Sequence, residues 1–147
     1  MYTVEEFDKA KTKVLKYILY KKRSESEVRK KFESVFNDEE LLENVIEYLK
    51  QANYINDNEY IQKTINNFIA LKNLSLKEIR YKLLAKGIKE NQIEDYVYNN
   101  QEELEQYELK SAQNIANKKS DLDAEEIKKY LYKKGYKAES IKKALEE

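Results

Sequence analysis

The sequence contains no cysteine, histidine or proline, and only two of its 147 residues are glycine. Without cysteine or histidine, the chain lacks disulfides, thiolate chemistry, the ligands of most zinc sites and the usual general base near neutral pH. The scarcity of glycine and the absence of proline leave few of the turn signals that sandwiches and barrels need. The composition therefore predicts an all-α fold.

Long apolar runs are also missing. The amino terminus, Met1 to Glu6, has neither the basic start nor the apolar stretch of a signal peptide. No segment approaches the roughly 18 apolar residues that span a membrane. We expect a cytoplasmic protein without a membrane partner.

Charge is sorted into blocks along the chain. The 28 basic and 28 acidic residues cancel to a net charge of zero. Residues 9–31, 61–89 and 109–137 are nevertheless net positive, and residues 33–60 and 90–108 are net negative. Blocks of like sign thus recur about every fifty residues, which is the signature of a repeat architecture.

A helix-capping pattern recurs with the same period. A Ser or Asp that can cap a helix is followed three residues later by a Glu that can reach back to it, at Ser24 and Glu27, Ser75 and Glu78, and Asp123 and Glu126. Gly87 and Gly135 occupy one repeat position, where a left-handed glycine would end the helix. Phe36 stands there in the first repeat, so that turn must close differently.

An amphipathic helix is predicted before each of these helix pairs. The apolar residues at helical spacing are Val4, Phe7, Val14 and Ile18, then Ile61, Ile65 and Phe68, then Leu104, Ala112 and Ile115. Between the first two repeats, Asn53 can adopt a left-handed conformation and Asp57 can start the next helix. We therefore expect nine helices in three tandem three-helix repeats, residues 1–56, 57–101 and 102–147. Stacked units of this kind share a continuous core, so we expect an elongated, curved body, right-handed or solenoid-like.

With these features the chain resembles the RecX family of regulatory proteins over nearly its whole length. The residues that carry the resemblance are Arg23-Ser24-Glu25 with Val28 and Phe32, residues 46–49 leading into residues 53–60, Lys86-Gly87-Ile88, and Lys134-Gly135-Tyr136. Asn53 departs from the Gly usual in the family, and Asn56 from the frequent Asp. Both replacements are compatible with turns.

The resemblance implies a regulator of bacterial recombination. It implies binding to the RecA recombinase and to the groove of its nucleoprotein filament, with inhibition of recombinase, ATPase and coprotease activities, and hence a role in DNA repair, DNA recombination and the SOS response. It implies no cofactor and no catalysis. A contact with single-stranded DNA inside the filament stays open, and binding to bare DNA should be weak.

Bases that recur at one repeat position are the best candidates for partner binding. Arg29, Arg80 and Lys128 meet this criterion, and we expect their reversal to Glu to leave the fold intact. The complete predicted basic stripe is Lys21, Lys22, Arg23, Arg29, Arg80, Lys86, Lys128, Lys133 and Lys134. The alternative is that these side chains are merely solvated charges beside an apolar stripe.

Other residues leave further alternatives open. Among 13 tyrosines, Tyr20 lies beside the basic run 21–23 and is the candidate for stacking on a nucleic-acid base. The acidic clusters Glu39-Glu40-Glu43 and Glu102-Glu103-Glu105 could face a basic patch on a partner or serve solubility. Two other functions remain: a helix-turn-helix-like DNA-binding regulator, which the zero net charge disfavours, and a helical adaptor unrelated to recombination.

Overall fold

The computed structural model describes residues 1–71 and 73–146, and this part of the chain is built from helices without strands. The helices within it are α1 (Val4–Tyr20), α2 (Glu25–Phe32), α3 (Glu39–Gln51), α4 (Asp57–Leu71), α5 (Leu76–Ala85), α6 (Glu90–Asn99), α7 (Gln101–Lys118), α8 (Ala124–Lys134) and α9 (Ala138–Leu145). The predicted all-α fold is therefore confirmed.

The chain forms two compact units. The first comprises Met1–Tyr60 together with Lys86–Ile88, and the second comprises Ile61–Ala85 together with Lys89–Glu147. Helices α4 and α7 begin at Asp57 and Gln101, within a residue of the limits expected for the second and third repeats. The division into three repeats and the elongated body stay predictions.

The first unit packs α1, α2 and α3 around one apolar core. Its fully or nearly buried members are Ala10, Val14, Ile18, Val28, Phe32, Leu41, Leu42, Val45, Ile46, Leu49 and Ile55. Phe36 stacks on Phe32 with ring centroids 5.3 Å apart, and its amide donates to the Phe32 carbonyl at 3.0 Å. This aromatic turn replaces the glycine that ends α8. Val4, expected on the apolar stripe of α1, is exposed.

In the second unit, α7 packs against α9 around a buried carboxylate. The side chain of Glu108 is 1% exposed and accepts hydrogen bonds from the amide of Leu76 (2.9 Å) and the amide of Lys137 (3.1 Å). It also accepts from the Ser140 hydroxyl at 3.1 Å. Because these donors lie at the starts of α5 and α9, one carboxylate satisfies the free amides of two helix ends.

The predicted caps of the second helix in each repeat are present. The Ser24 hydroxyl accepts from the Glu27 amide at 3.1 Å, and the Ser75 hydroxyl accepts from the Glu78 amide at 3.1 Å. In both cases the Ser amide donates in turn to the Glu carboxylate. Asp123 accepts from the Glu126 amide at 2.9 Å. Within the described residues, the Asp123 amide does not donate to the Glu126 carboxylate. Helix α4 begins at Asp57, as expected, and the side chain that caps it is Asn56, which accepts from the Glu59 amide at 3.1 Å.

The predicted left-handed positions are confirmed. The φ angles are +64° at Asn53, +87° at Gly87 and +96° at Gly135. Each glycine also lies against a neighbouring helix start. A Cβ at Gly87 would come within 2.2 Å of the Ser26 hydroxyl oxygen, and one at Gly135 within 2.9 Å of Lys77 Cβ.

A hydrogen bond accompanies each of these close approaches. The Ser24 hydroxyl donates to the Lys86 carbonyl at 3.4 Å, and the Ser75 hydroxyl donates to the Lys134 carbonyl at 2.7 Å. The same contact is thus made once in each unit, by residues that the sequence alignment of repeats already paired.

Candidate partner-binding surface

The basic run that follows α1 is partly engaged within the protein. The Lys22 ammonium lies 2.7 Å from a Glu59 carboxylate oxygen. The Arg23 guanidinium stacks 4.0 Å from the centroid of the Tyr17 ring and lies 3.8 Å from Glu27, with its side chain only 15% exposed. Lys21 is exposed and makes no ion pair in the described part of the chain. Of the three, Lys21 therefore offers a charge to a partner.

Arg29 joins α2 to α3. Its guanidinium donates to both carboxylate oxygens of Glu43, at 2.6 and 2.8 Å, and to Glu25 at 3.1 Å. Lys50 adds a second cation 3.0 Å from Glu25. Hydrogen bonding to Glu43 raises the pKa of Arg29, and the bond from Arg29 lowers the pKa of Glu43. Burial opposes ionisation of Glu25, but hydrogen bonds from Lys50 and Arg29 outweigh it and lower the pKa of this carboxyl.

Arg80 makes the corresponding connection between α5 and α6. Its guanidinium donates to Glu94 and lies 3.7 Å from Glu90. The Arg–Glu separation in sequence is 14 residues, as it is for Arg29 and Glu43. Two of the three bases predicted to form a recurrent stripe thus hold helices together.

Lys128, at the third of these repeat positions, is exposed on α8. It makes no ion pair with the described residues. The residue 14 positions later is Lys142, so the third repeat has no acid where the first two have one. The ammonium group of Lys128 is therefore available.

The bases at the ends of α5 and α8 differ among themselves. Lys134 lies 3.7 Å from Glu78 and 5.7 Å from the Tyr130 ring centroid. Lys86 and Lys133 are exposed and, among the described residues, unpaired. The free bases of the predicted stripe are consequently Lys21 and Lys86 in the first unit, and Lys128 and Lys133 in the second.

Sequence reasoning missed two members of the basic surface on α8 and α9. Lys129 and Lys142 line one groove together with Lys128 and Lys133. The signal that could have found Lys142 is the 14-residue spacing between Arg29 and Glu43. Counted from Lys128, the same spacing leads to Lys142, a base where the first repeat has an acid.

The aromatic and acidic candidates are also located. Tyr20 is 85% exposed at the end of α1, where it is accessible for stacking. Glu39 and Glu40 lie in the exposed first turn of α3. Glu102 and Glu103 lie in the first turn of α7, so the acidic block 90–108 covers two helices.

Neither a metal site nor a membrane span is found in the described residues. Across 1–71 and 73–146, no group of three or more acidic side chains is arranged to hold a metal ion. In the same part of the chain, none of the helices combines the length and apolar character that crossing a membrane requires.

Sequence relatives share one name. Regulatory protein RecX of Clostridioides difficile is 33% identical over 131 residues, which cover 88% of this chain and 59% of that protein. Regulatory protein RecX of Clostridium beijerinckii is 32% identical over 142 residues, covering 92% of this chain and 66% of the relative. The chain therefore spans about three fifths to two thirds of these curated relatives. No protein-family model matches it.

Solved structures agree in fold. The crystal structure of RecX from Lactobacillus salivarius superposes with a TM-score of 0.83 at 23% identity, covering 98% of this chain and 97% of the other. A second crystal structure of regulatory protein RecX gives a TM-score of 0.79 at 22% identity, covering 96% of this chain and 73% of the other. At these identities the likeness concerns the fold.

Proposed function

Because this chain belongs to the RecX family of regulatory proteins, we propose that it binds the RecA recombinase and its nucleoprotein filament and inhibits recombinase, ATPase and coprotease activities. The protein then acts in the cytoplasm as a modulator of DNA repair and recombination. It needs no cofactor for this role and catalyses no reaction of its own.

The observation that carries the proposal is the match to RecX proteins over most of the chain, at 33% identity in sequence and a TM-score of 0.83 in structure. The charge distribution supports it. A net charge of zero suits a protein or nucleoprotein partner better than bare duplex DNA, which usually selects a strongly basic domain. Exposed, unpaired lysines give local positive charge for such a contact.

The first test is titration of the protein into the single-stranded-DNA-dependent ATPase of the cognate recombinase. We expect ATP hydrolysis to fall in a dose-dependent manner. An ATPase rate that does not change at saturating protein would contradict the proposal.

Charge reversal then identifies the surface involved. Arg29 and Arg80 are unsuitable for this purpose, because reversal would place a new carboxylate against Glu43 or Glu94 and would weaken the fold itself. The variant Lys21→Glu/Lys86→Glu/Lys128→Glu changes bases that are exposed and that form no ion pair within residues 1–71 and 73–146. We expect it to inhibit less strongly at equal concentration, with an unchanged helical circular dichroism spectrum.

A matched control changes the same amount of charge elsewhere. Lys9, Lys13 and Lys63 are exposed and, among the described residues, unpaired, and their triple reversal to Glu should retain inhibition. Equal loss in both variants would show that net charge alone matters and that the predicted stripe does not.

The DNA-binding alternative makes a different prediction. Affinity for bare duplex DNA should be micromolar or weaker and should decline steeply with salt if contacts are non-specific. Tight, sequence-dependent duplex binding without recombinase would favour a DNA-binding regulator. Contact with filament-bound single-stranded DNA would appear as crosslinking of Tyr20 to that strand.

A further inference from the structure

An open groove with an apolar floor lies between helices α8 and α9. The groove has a volume of about 740 Å³, within the range of roughly 300–1,000 Å³ typical of ligand sites. Its floor is formed by Ala124 on α8 and by Ala138, Ile141 and Leu145 on α9. Ile141 is only 3% exposed because it belongs to the core of the second unit, so Ala124, Ala138 and Leu145 supply the accessible apolar surface. The floor residues of α9 recur at spacings of three and four, so they form one face of that helix. We call this feature the α8–α9 groove.

The rim of the α8–α9 groove is predominantly basic. Lys128, Lys129 and Lys133 line it from α8, and Lys142 lines it from α9. All four are exposed, and none makes an ion pair in the described chain. Two carboxylates, of Glu125 and Glu146, also line the groove and leave it with a surplus of positive charge.

In the corresponding helix pairs elsewhere in the chain, an ion pair connects the two helices. Arg29 binds Glu43 between α2 and α3, and Arg80 binds Glu94 between α5 and α6. In the third repeat the same spacing places Lys128 opposite Lys142. Two ammonium groups repel each other and cannot bridge the two helices. Lys128 therefore lacks the acid that faces Arg29 and Arg80 at this spacing.

An occupant must supply both an apolar face and negative charge. An amphipathic helix fits an apolar groove between helices, with side chains at i, i+3, i+4 and i+7 contacting the floor. Acidic residues beside that face would meet the lysines of the rim. A single nucleic-acid strand fits less well. Among the described residues that line the groove, Tyr132 is the one aromatic side chain and the floor residues offer no hydrogen-bonding groups to bases.

We propose that the α8–α9 groove binds an amphipathic helix of a partner protein, with its apolar face on Ala124, Ala138 and Leu145 and flanking Asp or Glu side chains against Lys128, Lys129, Lys133 and Lys142. Tyr132, 74% exposed on α8, forms part of the wall. The site goes beyond the predicted basic stripe, because Lys142 and the apolar floor are its defining elements.

The test uses a labelled peptide of about 14 residues, roughly four helical turns. It carries leucine at i, i+3, i+4 and i+7 and glutamate on both flanks, and fluorescence anisotropy measures its binding to the full chain. A second peptide has lysine in place of every glutamate. We expect the acidic peptide to bind at least about tenfold more tightly than the basic one, and to weaken as salt is raised.

Lys142→Glu is the decisive variant. The new carboxylate faces Lys128 as Glu43 faces Arg29, so the variant should melt at the same or a higher temperature than the parent protein. It should nevertheless bind the acidic peptide about tenfold more weakly, because one rim charge is reversed and a second is neutralised. Lys110→Glu, an equal change at an exposed position on α7 outside the groove, should leave binding unchanged.

Four outcomes would overturn the proposal. Two concern the peptides: equal binding of the acidic and basic peptides, and undiminished binding of the acidic peptide by Lys142→Glu. The third is binding of oligothymidylate that depends on Lys142 while the acidic peptide does not bind. The fourth is concentration-dependent self-association that Lys142→Glu abolishes. The measurement contains no recombinase. Its failure is therefore distinguishable from a failure of the ATPase titration.

Discussion

Gly87 gives the sharpest test of how the first unit is assembled. The variant Gly87→Ala adds one carbon at a residue with φ of +87°, in contact with Ser26. The left-handed backbone costs a residue with a Cβ about 1–2 kcal/mol. The new carbon would also lie 2.2 Å from the Ser26 hydroxyl oxygen and 2.5 Å from Ser26 Cβ. Rotation of the Ser26 side chain removes the first clash but not the second, so the backbone must shift.

Overpacking of this kind costs about 1–3 kcal/mol. Replacing glycine also restricts the unfolded chain, which returns about 0.4–1 kcal/mol. The expected loss in free energy of unfolding for Gly87→Ala is therefore about 1–4.5 kcal/mol. Urea denaturation followed by far-ultraviolet circular dichroism measures it.

Gly135→Ala is the matched control. Its φ of +96° carries the same backbone cost, but the nearest carbon that side-chain rotation cannot move, Lys77 Cβ, lies 2.9 Å away, compared with 2.5 Å for Ser26 Cβ at Gly87. We expect it to destabilise the protein by at least about 1 kcal/mol less than Gly87→Ala. Adding Ser26→Gly to Gly87→Ala should restore the stability lost to the clash but not the stability lost to the left-handed backbone. A double-mutant cycle measures the restored part as a coupling free energy. Equal losses at the two glycines, or no coupling to Ser26, would refute the close approach of Lys86–Ile88 to α2.

Two further predictions concern buried and paired carboxyls. Glu108→Gln should lower the free energy of unfolding by about 2–3 kcal/mol, because the side-chain amide nitrogen would face backbone donors that the carboxylate now accepts from. Glu105→Gln, on the exposed side of α7, is the control, and an equal loss from it would contradict the role of Glu108. The folded-state pKa values of Glu25 and Glu43 lie below 4.5, so the stability they confer is present above that pH and is lost as the pH falls through the folded pKa values. Denaturation midpoints at neutral pH and near pH 3 should therefore differ less in Arg29→Gln than in the parent protein, and an identical difference would argue against the Arg29 ion pairs.

The local structure of this protein follows largely from its sequence. The all-α class follows from the composition, because too few turn residues are present for a sheet. The caps at Ser24 and Ser75 and the left-handed Gly87 and Gly135 depend on contacts within a few residues, so short motifs predict them. The start of α4 shows the limit, since Asn56 caps it and leaves Asp57 free to accept from the Glu25 amide at 2.9 Å.

The state of each charged side chain depends on tertiary structure. In sequence Arg29, Arg80 and Lys128 look equivalent, but their roles depend on whether the third helix of the repeat brings an acid or a base to the opposite side. Glu43 and Glu94 pair with the arginines, whereas Lys142 stands at the third position and Lys128 has no ion pair in the described part of the chain. Glu108 likewise reads as one residue of a solvated acidic block, and only the packing of α7 against α9 buries it. Helix formation is local and the sequence determined it, but pairing and burial join residues far apart in the chain, and only the folded structure decided those.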